Sequence, residues 1–299
     1  MAKQEDLEIL IKLSEKEEKE FSNFIKTKRN ELISSPKDNA KKATKEHSKK
    51  VEKWLQDKKI SQVIIYLREF AYNEYLKEEA IFNGVILKEI SSKFDTPKEV
   101  IKILTDKLIN ENIQDSEEIR KRLVNLVGDY ATHISPYIYQ LCLSNTQSRR
   151  SRAGKTFEGI IYYLYEYFNY SFDSQTKVGK KCFSSLGLGK VVDSILPSVE
   201  AFNERRDKTI IGSMKTTLRE RWQEVVEEVS RSNIPNIYLL TVDDDISESK
   251  AIQMGTHNIV LVVLDYVKKQ SHLKDKRSII DFETYFFEEI STIQHYWSK

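Results

Sequence analysis

The chain has 299 residues, 39% of them hydrophobic, and a formal net charge of +2, which allows a sizeable core and does not by itself indicate a partner. It contains no run of about 18 apolar residues, so we expect no membrane-spanning helix. The charged N-terminal segment lacks an apolar secretory stretch, and only two cysteines occur, Cys142 and Cys182. These features predict a cytoplasmic protein without a disulfide framework or a zinc site.

The basic residues are unevenly distributed. Between Lys26 and Lys59, twelve lysines and arginines stand against five acids. A second cluster between Asn145 and Lys155 has four basic residues and no acid. Such clusters can neutralise a DNA backbone in a salt-dependent way, although the first could equally be a solvated helix face.

The first half of the sequence predicts helices. Residues 3–33 have amphipathic helical spacing, whereas residues 34–50 (SSPKDNAKKATKEHSKK) predict a polar connector or a DNA-facing segment. Further helices are predicted to begin near Ile60, Thr96, Ser116 and Ser135, the second of these from a capping residue, a first-turn proline and a third-position acid. We therefore expect residues 1–95 to form a helical, basic region that contacts DNA.

The second half alternates helical and strand-like segments. Helices are predicted at about 148–168, from 217 to about 231, and again after Lys268. Apolar strands are predicted at 190–196, 208–215, 236–242 and 258–264. This alternation indicates an α/β fold in residues 96–299, with a sheet covered by helices on both faces.

Two charged residues in the predicted strands point to chemistry. Asp193 lies in an apolar strand, where an acid is unfavourable unless it is paired or binds a metal. Lys215 ends the next strand, directly before a predicted helix. An aspartate and a lysine at one rim of a sheet are the layout of the PD-(D/E)xK nuclease site, in which carboxylates hold Mg²⁺ and the lysine positions water and offsets developing charge. The structural alternative is an ordinary edge pair.

The pattern departs from its simplest form at Ser213, where an acid is expected two residues before the lysine. Another carboxylate must then complete the metal site. The helix after Lys215 offers Glu224, Glu227 and Glu228, and the preceding helix offers Glu158 within an apolar series.

Two longer segments carry a family resemblance. They are LCLSNTQSRRSRAGKTFEG, residues 141–159, and the stretch from Lys190 to Glu228. Both resemble type II restriction endonucleases of the family that includes the EcoRII catalytic domain, SsoII and PspGI, and a similar order of elements extends over residues 137–268. The resemblance implies a restriction-endonuclease-like fold, a central mixed sheet flanked by helices.

The resemblance also implies roles for individual residues. In that family one metal-site carboxylate has moved from the strand to the following helix. Glu158, Asp193, Lys215 and Glu228 then form the catalytic set around Mg²⁺, with Glu224 as the alternative to Glu228. The three carboxylates Glu158, Asp193 and Glu228 are the implied metal ligands, and no organic cofactor is expected.

DNA recognition is implied by two further motifs. The family reads CC/GG half-sites with a basic-acidic-basic motif, here Arg219, Glu220 and Arg221; arginine can pair with guanine and glutamate with cytosine in the major groove. The alternative is a solvated first helical turn with local salt bridges. Backbone contacts are expected from a predicted helix start capped by Ser148 or Ser151, through Arg149, Arg150, Arg152 and Lys155.

These features predict a homodimeric restriction enzyme that cuts both strands of DNA at a CCNGG- or CCWGG-like site and leaves 5′-phosphates. Family members with five-base sites flip the central nucleotide, and Trp54 in the basic segment is the candidate stacking surface, unless it is a buried helix residue. The rival hypotheses are a DNA-binding protein that does not cleave, a PD-(D/E)xK nuclease with a repair or structure-specific task, and a purely structural helical protein.

Overall fold

Helices dominate the chain before residue 170. The computed structural model describes residues 12–110, 115–188, 191–218, 223, 225–227 and 234–298. The helices of the first half are α1 (Glu15–Leu32), α2 (Pro36–Glu46), α3 (Ser48–Gln56), α4 (Ile60–Lys93), α5 (Asp95–Asn110), α6 (Ser116–His133) and α7 (Ser135–Tyr167).

Strands and shorter helices alternate in the second half. The strands are β1 (Asp173–Ser174), β2 (Ser194–Leu196), β3 (Ile210–Lys215), β4 (Ile237–Thr241), β5 (Ile259–Val263) and β6 (Ile279–Asp281). The helices between and after them are α8 (Gln175–Val178), α9 (Lys180–Ser185), α10 (Val199–Glu204), α11 (Glu248–Thr256), α12 (Asp265–Lys268), α13 (Phe282–Thr284) and α14 (Ile290–Trp297), with a π-helical turn at Tyr285–Glu289.

The chain forms two compact units that alternate along the sequence. Unit 1 comprises residues 1–35 and 73–151, and unit 2 comprises residues 36–72 and 152–299. The long helices α4 and α7 each contribute residues to both units. The predicted boundary between residues 95 and 96 lies inside unit 1, and the DNA-contacting role of residues 1–95 stays a prediction.

Unit 1 has its own apolar core. The Phe21 ring lies 5.0 Å from Tyr137 and 5.3 Å from Phe94, both in edge-on geometry. Phe82 and Ile86 of α4 are fully buried in the same cluster. Apolar packing of α1, α4 and α7, with the Phe94 ring directly after α4, therefore stabilises this unit.

Unit 2 is built around a six-stranded mixed sheet in the order β1-β2-β3-β4-β5-β6. The pairs β1–β2 and β2–β3 are antiparallel, and β3 to β6 run parallel. Every residue of β4 is buried, as expected for a sheet covered on both faces. Its core includes Val63 and Leu67 of α4 and Phe157 and Ile161 of α7. The predicted fold class, a mixed sheet flanked by helices with a helical N-terminal region, is confirmed.

The strand predictions succeed best for the long apolar runs. The strands predicted at 208–215, 236–242 and 258–264 appear as β3, β4 and β5. The strand predicted at 190–196 is shorter: β2 covers only its last three residues, and Asp193 directly precedes it. Strands β1 and β6 were not predicted, and β6 interrupts the region after Lys268 that was expected to be helical.

Two predictions about the helices are wrong. Residues 34–50 are not a connector, because α2 and the start of α3 occupy them, with Ala40 and Ala43 buried on one helix face; the alternative of a DNA-facing segment stays a prediction. The helix predicted to begin near Ser148 is the middle of α7, which starts at Ser135. No glycine or proline interrupts residues 137–153, so nothing in the sequence ends the helix there, and Ser148 and Ser151 do not cap it. None of the described helices is long and apolar enough to cross a membrane.

Candidate active site

The corner between β2 and β3 brings Asp193 and Lys215 together. Because the two strands are antiparallel, the residue before β2 lies beside the end of β3. The Asp193 backbone N–H donates to the Gly212 carbonyl at 2.8 Å, which extends the strand pairing by one step. The Lys215 Nζ lies 4.0 Å from Asp193 Oδ2. The predicted pair therefore lies at one rim of the sheet. Asp193, however, directly precedes its strand and does not lie within it.

The Asp193 carboxylate is held in a largely buried position. Its side chain is 19% exposed, and that of Lys215 is 17% exposed. The Met214 backbone N–H donates to Asp193 Oδ2 at 2.6 Å. Burial raises the pKa of Asp193, and the charge of Lys215 and the Met214 N–H oppose that rise. The ionised form of Asp193 is therefore disfavoured unless a further positive charge lies nearby.

Glu158 on α7 is the second carboxylate of this corner. Burial and the charge of Asp193 raise the pKa of Glu158 to about 7, while Lys215 and Lys155 act in the opposite direction. The four side chains are therefore electrostatically coupled. Two of the three carboxylates predicted to bind a metal are brought together.

A divalent cation fits this pair. Burial disfavours the ionised form of both carboxyl groups, and the charge of Asp193 disfavours that of Glu158 further. A divalent cation such as Mg²⁺, which prefers oxygen ligands, would offset these charges. Among the described residues no group of three or more His, Cys, Asp or Glu could hold a metal ion. Glu228 and the alternative Glu224 lie outside the described residues, so the predicted third ligand stays a prediction.

Ser213 stands where the simplest form of the motif has an acid. The register pairs Ser194 with Gly212, so Ser213 follows next to Asp193 and faces the same side of the sheet as Lys215. Ser213 is fully buried, and its Oγ has no hydrogen-bond partner within the part of the chain that the structure describes. No carboxylate is available at this position.

Two residues that the sequence did not single out hold the Asp193 backbone. The Tyr162 hydroxyl donates to the Asp193 carbonyl at 2.9 Å, and Gln175 Nε2 donates to the Val192 carbonyl at 2.7 Å. Tyr162 lies one helical turn after Glu158 on α7, so the spacing of the two residues was a usable signal. Gln175 had no such signal.

The basic cluster of α7 is divided between the two units. In unit 1, Arg149 forms a bidentate ion pair with Glu79, whose side chain is 3% exposed. Arg150 is exposed in the same unit, whereas Arg152 is half-buried and Lys155 exposed in unit 2. Their DNA contacts stay predictions, and Arg149 already has a protein partner.

Trp54 lies on α3 in unit 2. It is half-buried and packs against the core of that unit, with the Tyr66 ring edge-on at 5.3 Å. The Lys50 Nζ lies 4.8 Å from the Trp54 ring centroid. This packing matches the alternative of a helix tryptophan in the core, and the stacking role stays a prediction. The predicted reading motif, Arg219, Glu220 and Arg221, lies outside the described residues.

The mixed sheet, with an aspartate and a lysine at one corner and a helical glutamate beside them, defines a protein of the restriction-endonuclease-like fold. A comparison with known families gives the same result at the sequence level. The chain belongs to the EcoRII C-terminal family, whose sequence profile matches residues 113–286. The resemblance predicted from the two motifs is confirmed.

Individual relatives support this assignment. The type II restriction enzyme SsoII of Shigella sonnei is 41% identical over 157 residues, which cover 52% of this chain and 51% of that enzyme. The alignment thus spans about half the length of that relative. Metal-depleted Ecl18kI in complex with uncleaved, modified DNA superimposes with a TM-score of 0.76 at 28% identity, covering 94% of this chain and 86% of that one.

A more distant structure shares the fold. The complex of the restriction endonuclease PspGI with substrate DNA has a TM-score of 0.58 at 19% identity, covering 88% of this chain and 94% of that one. At this identity the similarity extends to the architecture alone.

Proposed function

We propose that the chain is a type II restriction endonuclease that uses Mg²⁺ to cut both strands of DNA. The observation that carries the proposal is the corner of Asp193, Lys215 and Glu158 in the fold of a family that includes restriction enzymes. Support comes from SsoII, which is named a type II restriction enzyme, and from Ecl18kI, which was solved in complex with DNA.

In this proposal Asp193, Glu158 and Glu228 hold the metal, with Glu224 as the alternative third ligand. When bound, the ion supplies Lewis-acid polarisation of the scissile phosphate. Lys215 orients the attacking water and offsets the charge that develops on phosphorus. Met214 and Tyr162 fix the position of Asp193 through its carboxylate and its carbonyl. Water adds to phosphorus and the 3′-oxygen leaves, which gives 5′-phosphate ends.

The finer assignments follow the family pattern. Arg219, Glu220 and Arg221 read a CCNGG- or CCWGG-like site in the major groove. Arg149, Arg150, Arg152 and Lys155, with the basic residues of the first 95, contact the DNA backbone. A homodimer in the cytoplasm places one catalytic set on each strand of a palindrome, and Trp54 stacks on a flipped central base.

The direct test is digestion of a DNA of known sequence, with Mg²⁺ and with EDTA. Discrete fragments that appear only with Mg²⁺, and whose ends map to one sequence and carry 5′-phosphates, would support the proposal. DNA that stays intact but migrates more slowly in the gel would instead indicate a DNA-binding protein without cleavage. Cutting only at junctions or lesions would indicate a repair nuclease.

Asp193→Ala and Lys215→Ala should abolish cutting, because each removes a group that acts on the phosphate or its metal. We expect cleavage rates to fall on the order of 10²- to 10⁴-fold under single-turnover conditions. Lys274→Ala removes an exposed lysine remote in sequence from the corner and serves as the matched control. Wild-type rates in either corner variant would refute the assigned site.

A further inference from the structure

Asp243, which follows β4, binds the segment that leads out of the candidate active site. Its Oδ2 accepts a hydrogen bond from the Leu218 backbone N–H at 2.7 Å. Its Oδ1 accepts from the Asp245 N–H at 3.3 Å, and its own N–H donates to Thr241 Oγ1 at 3.1 Å. Both carboxylate oxygens are therefore used within the protein.

Leu218 stands between Lys215 of the candidate active site and the predicted base-reading residues, which begin at Arg219. The parallel register of β3 and β4 pairs Lys215 with Thr241, so the contact joins the segments that follow two adjacent strands. Leu218 stands three residues after Lys215 and immediately before Arg219. Its side chain is fully buried. The backbone at Leu218 is thus fixed twice, by a buried side chain inside the core and by a carboxylate.

We propose that Asp243 is a positioning residue for sequence recognition, because it fixes the backbone at Leu218, which directly precedes Arg219, Glu220 and Arg221 in the sequence. This inference rests on the proposed function, because it assumes that those three residues read bases. A hydrogen bond from a backbone N–H to an ionised carboxylate is shorter and stronger than a neutral one. Both carboxylate oxygens of Asp243 accept hydrogen bonds from backbone N–H groups of the protein, so its effect on recognition is indirect.

Three variants separate the effect of the hydrogen bond between the Leu218 N–H and Asp243 from the effect of the Asp243 charge. Asp243→Ala removes both the acceptor and the charge. Asp243→Asn removes the charge but keeps an oxygen within reach of the Leu218 N–H. Asp245→Ala removes an equal charge from an exposed residue of the same loop and leaves the Leu218 contact intact.

The measurement is the ratio of Kd values for two duplexes in EDTA, one with the sequence selected by the wild-type chain and one with a single G·C pair replaced. We expect Asp243→Ala to lose about tenfold or more of this discrimination, while binding to the altered duplex stays the same or tightens. Asp243→Asn and Asp245→Ala should keep the ratio within about threefold of wild type. Full discrimination by Asp243→Ala, or an equal loss in Asp245→Ala, would overturn the inference.

A measurement on the wild-type chain covers the case in which Asp243→Ala does not fold. Hydrogen exchange of the Leu218 amide in the DNA-free protein should be slow. Unprotected exchange would contradict the hydrogen bond between this amide and Asp243. The binding ratio requires no cleavage, so a chain that selects a sequence without cutting it rejects the nuclease proposal and still tests Asp243. A chain that selects no sequence rejects both.

Discussion

Glu158 and Asp193 are two acids that share one poorly solvated corner. Burial raises the pKa of each, the charge of Asp193 raises that of Glu158 further, and Lys215 offsets only part of the effect. The ionised pair therefore destabilises the metal-free fold. This is the trade-off between stability and activity that binding sites commonly show.

Glu158→Gln should stabilise the metal-free protein at high pH. The pKa of Glu158 is about 7 in the folded chain and lies near 4.5 without the fold. The favourable contribution of protonated Glu158 is fully present below about pH 4.5 and is lost as the pH rises through 7. Glutamine cannot ionise, so at pH 8 the variant should gain roughly 1–3 kcal/mol in its free energy of unfolding. Thermal melting in EDTA at pH 5 and pH 8 measures this.

The control for this prediction is Glu166→Gln, an exposed glutamate two turns further along α7. Its melting temperature should follow that of the wild type at both pH values. A Glu158→Gln protein that is no more stable than wild type at pH 8 would show that Glu158 is well solvated.

At the scale of single residues, the sequence singled out the charged residues of the candidate site but not the residues that hold the nearby backbone by hydrogen bonds. Asp193, Lys215 and Glu158 belong to motifs that a single sequence displays. The contacts of Tyr162 with Asp193 and of Asp243 with Leu218 join residues 31 and 25 positions apart. The spacing of Tyr162 from Glu158 could have singled out the tyrosine, but no local pattern identifies the partner in either pair, because the partners depend on how α7 and the segment after β4 pack against neighbouring segments.

Among the elements, the pairing of β2 with β3 determines the geometry of the corner. A Cβ added at Gly212 would lie 2.5 Å from Ser194 Oγ, whereas its next neighbours would be at 3.8 Å. Ser194 is fully buried. The Ser194 hydroxyl therefore occupies the space that a side chain at residue 212 would take.

Gly212→Ala should destabilise the fold and weaken the site. The methyl group must displace Ser194 Oγ inside a packed sheet, and such overpacking typically costs about 1–3 kcal/mol. The double variant Gly212→Ala with Ser194→Ala removes the close contact and should recover most of the loss. Chemical denaturation of the wild type, both single variants and the double variant gives the coupling energy. Additive effects would show that the close approach is not the cause.

Element boundaries were predictable where a signal was long. Strands β3, β4 and β5 have five or six residues each and are rich in apolar side chains, which a sequence pattern reveals. β1 has two residues and β6 has three, too few for any periodicity. The continuity of α7 through SRRSRAGK was missed because serines resemble helix caps, although no glycine or proline between residues 137 and 153 ends the helix.

For the whole molecule, the interleaving of the two units is the main constraint. The core of unit 2 takes Val63, Ile64 and Leu67 from α4, long before the strands that they cover. The core of unit 1 takes Phe21 and Phe82 from the same early part of the chain. A boundary at residue 95 follows the charge pattern of the sequence, but it divides both cores.

A chain of residues 96–299 alone should therefore not fold cooperatively. It lacks core side chains of both units and exposes the apolar surfaces that they cover. Near-UV circular dichroism should show no fixed aromatic packing, and heating should give no sharp transition. Co-expression of residues 1–95 should restore both signals. A sharp melting transition of 96–299 by itself would contradict the prediction.

One hydrogen-bonded contact carries a consequence for biosynthesis. The backbone and side chain of Ser61 both bind the Glu283 carboxylate, across a separation of 222 residues. A ribosome must therefore release nearly the whole polypeptide before α4 can dock at the end of β6, and contacts of such long range form slowly. Incomplete translation products would carry the motif residues without a finished core around them. Under the proposed function, that order delays DNA cleavage until synthesis of the chain is almost complete.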